Sequence, residues 1–251
     1  MVNDVYLIAG AGLVAGTMNA IAGGGSFVTL PALITAGVPA LNANASSTVA
    51  LVPSALASAY AYRHDFQDFE GVRFRDMALL SVAGGAAGAL LLLATPQSVF
   101  TFLVPFLLLF GTLAFAFGRQ AGAYLRERIH ITPRMMLVTQ FFLGIYGGYF
   151  GGAVGIMMLA AWSLLTSAPI SAMQPARNLL NAAMNATATL LFVAGGLVFW
   201  RQTFILFVGA IIGGYLGAHY ARRIDPALAR IVISCLNAAM TAFIFWRTFG
   251  H

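Results

Sequence analysis

Charged residues are missing from three long stretches of the chain, residues 5–62, 77–118 and 135–176. Each is far longer than the ~20 apolar residues one membrane-spanning helix requires, so each holds several embedded segments. Residues 90–94 and 106–110 are continuously apolar, whereas a transmembrane barrel strand alternates apolar and polar side chains over ~10 positions. The expected elements are therefore helices, because the bilayer offers backbone N–H and C=O groups no other partner. The charged loops divide the first half into embedded segments at residues 5–37, 42–62, 77–95 and 98–118. The second half gives 135–167, 177–200, 203–221 and 227–246.

The pattern repeats itself. Gly12-x-x-x-Gly16 recurs 132 positions later as Gly144-x-x-x-Gly148, a shift that also carries Gly23 onto Gly155. Pro39 and Pro96 recur 130 positions later as Pro169 and Pro226. Thr35-Ala36-Gly37-Val38-Pro39 and Leu165-Thr166-Ser167-Ala168-Pro169 close the same element in each copy. Such internal symmetry is common in transporters. It predicts an all-α polytopic membrane protein of two homologous repeats, each with about four embedded segments: repeat 1 over residues 1–118, a cytoplasmic linker over 119–134, and repeat 2 over 135–251.

The first segment of each repeat is too long for one span and is interrupted by glycines. Residues 6–22 make a helix of about 25 Å at 1.5 Å per residue, and Gly23-Gly24-Gly25 then breaks it, since each glycine costs ~1 kcal/mol in a helix interior. Ser26 sits where an N-cap starts a second, shorter helix that ends near Gly37. Half-helices meeting at glycines present backbone N–H groups and helix N-termini to a midplane site. The arginines weigh how this element lies. If it crosses the bilayer, Arg177, Arg222, Arg223 and Arg230 oppose the other nine; if it turns back, Arg201 and Arg247 alone oppose the other 11. The stronger asymmetry favours re-entrant segments and inverted repeats.

Composition agrees: 60% of the 251 residues are hydrophobic, 8% are charged and mean hydropathy is +0.87, against about 25% charged in soluble domains. The net charge of +6 comes from arginines in short loops, the signature of membrane topology rather than of a nucleic-acid-binding face. Without lysine there is no P-loop, and no His/Cys cluster offers a metal site, so neither metal nor cofactor is expected. Gly24-Gly25-Ser26 with a distant His219 is too common a spacing to indicate a protease dyad. Asp4, Asp65, Asp68, Glu70, Asp76, Glu127 and Asp225 all fall at segment ends or loops, leaving no buried acid for a proton relay. Cys235 is the only cysteine, which excludes an intrachain disulfide. Met1 to Val5 lack the basic start of a cleaved signal peptide, so the amino terminus is expected to be retained.

Arg177 is the only Asp, Glu, Lys or Arg between Arg134 and Arg201. A charge within a membrane segment costs at least ~2.5 kcal/mol and marks a functional candidate. Pro169 and Pro175 place it near the start of a helix, where the dipole disfavours a cation and a bound anion relieves the conflict. The alternative is an arginine that snorkels to headgroups. A shift of 130 sets Ala176, Arg177 and Asn178 against Ser46, Ser47 and Thr48 of the first repeat, with Asn42, Asn44, Asn181 and Asn185 nearby. Any one of these polar residues is as well explained by helix–helix hydrogen bonding, worth ~0.6 kcal/mol. Clustered beside two glycine breaks, they read as a substrate path. Asn19, one turn before Gly23, points into the same region, and its counterpart Gly151 makes the copies chemically unequal.

The run from Asn19 to Gly25 (Asn-Ala-Ile-Ala-Gly-Gly-Gly), Pro31-Ala32-Leu33, Gly37-Val38-Pro39 and the polar residues 42–48 resemble the TauE/SafE family of sulfite exporters and organosulfonate permeases. In the second half, residues 144–152 and Ala176-Arg177-Asn178-Leu179-Leu180-Asn181 resemble that family's second copy. Ala153-Val154-Gly155-Ile156 departs from a fuller glycine run, and Ser46-Ser47-Thr48 is a loose version of a Gly-Thr-Ser pattern. The resemblance implies a multi-pass inner-membrane transporter of sulfite, a sulfonate or a related small anion. The expected substrate site comprises Asn19, Gly23, Gly24, Gly25, Ser26, Ser46, Ser47, Thr48, Arg177, Asn178 and Asn181. The expected partners are the small anion and the lipid bilayer, with a homodimer seam as one use of the GxxxG faces and no nucleic acid. A channel-like conduit and a membrane subunit of a sulfur-metabolism enzyme are the rival readings; an enzyme is not expected.

Overall fold

The computed structural model describes residues 2–21, 24–61, 71–126, 132–164, 170–221 and 226–250. Ten helices lie among them: α1 (Val2–Ile21), α2 (Ser26–Thr35), α3 (Ala40–Ala61), α4 (Phe74–Ala94), α5 (Gln97–Arg126), α6 (Pro133–Tyr149), α7 (Val154–Trp162), α8 (Ile170–Ala194), α9 (Trp200–Ala221) and α10 (Pro226–Phe249). Both long first segments are divided, into α1 with α2 and α6 with α7; the first division falls at the glycine run as expected, whereas the second falls at residues 150–153, ahead of Gly155, which lies inside α7.

Several boundaries differ from the hydropathy reading, two of them most. Helix α5 continues past residue 118 to Arg126, because residues 119–126 include arginine, glutamine, alanine and leucine, good helix formers that need no bilayer. Helix α8 starts at Ile170 and runs through Pro175. That proline forfeits only one backbone bond, to a carbonyl in the first turn. Arg177 is consequently the eighth residue of α8, beyond the turn where the helix dipole acts, which corrects its placement near a helix start.

Glycine faces set the closest helix contacts. A methyl on Gly12 would strike the carbonyl of Leu206, one on Gly16 that of Ala210, and one on Gly213 that of Leu13, so α1 and α9 lie backbone to backbone and run in the same direction. Helices α4 and α6 repeat the arrangement, with Gly84 against Phe141, Gly88 against Ile145 and Gly148 against Gly85. The GxxxG motifs of both α1 and α6 are thus used within the chain. Helices α3 and α8 pack on each other between these pairs. Helices α5 and α10 pack antiparallel, through Phe102 on Phe249 (5.7 Å), Phe106 on Phe245 (5.4 Å) and a Thr112–Thr241 hydroxyl bond of 2.9 Å.

The two short helices are tied in differently. Arg247 at the end of α10 donates to Thr35 Oγ1 (3.1 Å) and the Ile34 carbonyl (3.2 Å), meeting the negative end of α2. The end of α7 is held by Trp162 Nε1 donating to Gln140 Oε1 (3.1 Å), whose Nε2 donates to Ser81 Oγ (2.8 Å). All three of those side chains are buried.

Large apolar side chains, including Leu79, Phe102, Phe142, Leu190, Phe204 and Trp246, face outward. Soluble monomers rarely expose contiguous apolar patches beyond a few hundred Å². Among the described residues, Phe74–Ala94, Gln97–Gly118 and Ile231–Phe249 are long and apolar enough to cross a membrane. The chain is a helical membrane protein.

Candidate substrate site

At the first break Gly24 takes φ +90°, a left-handed conformation that a side chain would oppose. Asn19 Oδ1 accepts the Gly25 N–H at 2.8 Å, folding the chain back over the last turn of α1. A methyl on Gly25 would stand 2.7 Å from the Ala15 carbonyl oxygen, so only glycine fits. The N-cap position falls on Gly25, and Ser26 is the first helical residue, one position later than its expected capping role. Gly23 lies outside the described residues.

One turn into α2, Thr29 shares a short hydroxyl bond with Ser47 of α3, and its Oγ1 also lies 3.3 Å from the Gly25 carbonyl. Thr29 is 0% and Ser47 2% exposed. Asn19, Gly25, Thr29 and Ser47 therefore form one connected polar group. Thr29 was missed in the sequence because a lone threonine at Val28-Thr29-Leu30 carries no spacing signal.

The neighbours of Ser47 point elsewhere, as residues 100° apart on a helix must. Ser46 Oγ accepts the Phe199 N–H at 2.9 Å, binding α3 to the start of α9. Thr48 Oγ1 donates to the Asn44 carbonyl in its own helix at 3.0 Å. Asn42 donates to the Leu197 carbonyl and Asn44 to the Tyr149 carbonyl, both at 2.9 Å. Ser46, Asn42 and Asn44 thus join helices across the two halves.

At the second break Gly151 takes φ +78° and Ala153 φ +59°. A left-handed alanine costs about 1–2 kcal/mol, strain of the kind that gathers at functional sites. The side chain of Arg177 lies along the opening of α7: a methyl on Gly155 would sit 3.3 Å from Arg177 Cδ. The guanidinium donates to Asn178 Oδ1 from Nη2 at 2.7 Å and from Nε at 3.2 Å. One turn along α8, Asn185 Nδ2 donates to Asn181 Oδ1 at 3.0 Å, and Asn185 Oδ1 is 3.7 Å from a methyl placed on Gly151. Arg177, Asn178, Asn181 and Asn185 are all partly buried.

The two breaks meet. Phe27, fully buried in the first turn of α2, packs in one cluster with Phe150 and Ala153 of the second break. Of the expected residues, Asn19, Gly25 and Ser47 meet at the first break and Arg177, Asn178 and Asn181 line α8 beside the second, while Ser46 and Thr48 bond elsewhere; Phe27 and Phe150 fill the space beside Gly152. Hydroxyls, amides and one guanidinium make a donor-rich set suited to a small anion. Among the described residues no three His, Cys, Asp or Glu gather as metal ligands.

The model of the family described as sulfite exporter TauE/SafE matches residues 8–244, spanning both breaks and both polar groups. The chain belongs to this family. The chain is also similar to curated proteins along most of its length. A "Probable membrane transporter protein" of Haemophilus influenzae is 30% identical over 235 residues, covering 92% of this chain and 90% of that protein. "Probable membrane transporter protein YfcA" of Escherichia coli K12 is 28% identical over 240 residues, covering 95% and 88%. "Probable membrane transporter protein ORF9" of a Sinorhizobium species is 30% identical over 233 residues, covering 92% and 88%. No solved structure matches. An apolar groove of about 490 Å³ between α1 and α9 is lined by Tyr6, Leu13, Phe204 and neighbours; none of the candidate residues of this TauE/SafE chain lines it.

Proposed function

We propose that the chain is a secondary transporter that moves a small sulfur-containing anion, sulfite or a sulfonate, across the cytoplasmic membrane. The observation that carries the reading is Arg177: a partly buried guanidinium laid along the glycine opening of α7, beside Asn178 and within a half that touches the other break through Phe27. Binding the anion there offsets the cost of a cation within the bilayer, and the amides and the Thr29–Ser47 pair supply neutral donors. The family description names sulfite export, and the relatives are named membrane transporters, which supports transport over an enzyme or an enzyme's partner subunit.

In this reading residues 1–118 and 135–251 are inverted repeats, and their broken segments re-enter the bilayer. Helix α1 starts at the same end of the bundle as α9, which it parallels; α3 also starts there, through Ser46 and Asn42, and α2 ends there on Arg247. Helix α6 parallels α4, which ends where α5 begins, so the second broken segment starts from the opposite end. Alternating access is the rocking of one repeat against the other, with Phe27 and Phe150 parting to join the two polar groups.

The test is uptake of sulfite, thiosulfate and small sulfonates by the purified protein in liposomes, with and without a proton gradient. Saturable flux of one anion supports the transporter. Non-saturating flux without coupling favours a conduit, and no flux of any overturns the reading.

A further inference from the structure

Asn237 of α10 is 0% exposed, and among the described residues neither its Nδ2 nor its Oδ1 has a hydrogen-bond partner. An unbonded amide in apolar surroundings costs about 2–7 kcal/mol, which a leucine at the same position would avoid. The buried hydroxyl of Thr189 is also unpartnered, but a helical threonine can turn its hydroxyl onto the carbonyl one turn back. An asparagine Nδ2 can do the same, as Asn185 does to the Asn181 carbonyl at 2.9 Å, but that leaves its Oδ1 without a donor, so the position demands an explanation.

Its surroundings locate it. One turn along the same face, Thr241 Oγ1 donates to the Asn237 carbonyl at 2.7 Å and bonds Thr112 of α5. One turn back, Ile233 packs with Phe115 of α5 and with Val28 and Ala32 of α2. Phe115 also lies 4.0 Å from a methyl placed on Gly24. The amide therefore sits between α10 and α5 at the level where α2 begins, behind the first break and on a different face of α2 from Thr29. Residues 26–35, 97–118 and 231–246 carry no charge, so the amide itself presents one donor and one acceptor side by side with no charged group of these segments to meet them. A fully deprotonated anion satisfies Nδ2 and leaves Oδ1 facing negative charge. A cation does the reverse. An oxyanion that keeps one hydroxyl satisfies both, accepting from Nδ2 and donating to Oδ1.

We propose that Asn237 is a further substrate-contacting residue, forming a second station on the α10 side of α2 that selects a small oxyanion carrying one hydroxyl. The proposal rests on the transporter reading above and names the form of the substrate that it carries. The station opens as α2 shifts against α10.

The experiment compares wild type with Asn237→Leu in liposomes, using sulfite, which exchanges with hydrogen sulfite in water, and methanesulfonate, which has no hydroxyl. Thermal unfolding of both proteins in detergent is measured alongside. The expected result is at least about a tenfold loss of sulfite uptake with an unfolding midpoint equal to or above wild type, and a fall in the ratio of sulfite to methanesulfonate uptake. A midpoint below wild type would mark a structural role and overturn the proposal, unless Asn237→Ser, which leaves a smaller polar group, folds normally and loses sulfite preference. Unchanged sulfite uptake in Asn237→Leu overturns this proposal alone. No uptake of either anion by wild type overturns the transporter reading and this inference with it.

Discussion

Phe27 of the first break packs beside Gly152 of the second: a methyl on Gly152 would stand 3.4 Å from Phe27 Cε2 and 2.6 Å from Phe150 Cε1. The glycine gives the ring of one break room beside the backbone of the other. In Gly152→Ala the new methyl must displace Phe150, at a cost of about 1–3 kcal/mol for overpacking. The expected outcome is a lower unfolding midpoint in detergent, read by tryptophan fluorescence, together with slower anion flux.

Arg177 tests the electrostatics of the site. Its Nη2 bond to Asn178 is compatible with either a ligand or a structural role, and the two separate on binding. Arg177→Gln is expected to raise the apparent KM for the transported anion about 10–100-fold, since a hydrogen bond to a charged group is worth ~1.5–3 kcal/mol. Arg177→Lys should restore part of the affinity, because it keeps the charge but not the fork. Unaltered affinity with normal folding would assign Arg177 to the snorkelling class.

The glycine seams make a prediction about stability with its own control. Gly16→Leu and Gly88→Leu place a side chain against the carbonyls of Ala210 and Ile145 and should prevent α1–α9 or α4–α6 from closing. The measure is the yield of monodisperse protein on size exclusion. Gly10→Ala, with nothing within 4 Å, should be neutral or stabilising by about 0.5–1 kcal/mol.

Topology separates inverted repeats from four full spans per half. With Cys235 replaced by serine, Ser98→Cys and Gly250→Cys are labelled in intact cells by a membrane-impermeant maleimide. Re-entrant segments place positions 98 and 250 on the same side; crossing segments place them on opposite sides.

Much of this was legible from residues 5–62, 77–118 and 135–176, whose lack of charge fixes the solvent, and from Gly23-Gly24-Gly25, which fixes a break. Hydropathy and glycine content act locally, so embedded segments and interrupted helices follow from the chain alone. The glycines at 12, 16, 144 and 148 announced close approaches but not their partners, since a GxxxG face serves a dimer seam or a neighbouring helix equally well. Only the packed fold assigned them to α9 and α4, turned Ser47 toward Thr29 while aiming Ser46 at Phe199, and carried α8 back past Pro175. It likewise buried the Asn237 amide without a hydrogen-bond partner among the described residues. The reason is geometric: a side chain's direction depends on helix phase, and its partner on which distant helix arrives opposite it. Neither quantity is written in the local pattern of apolar and polar residues.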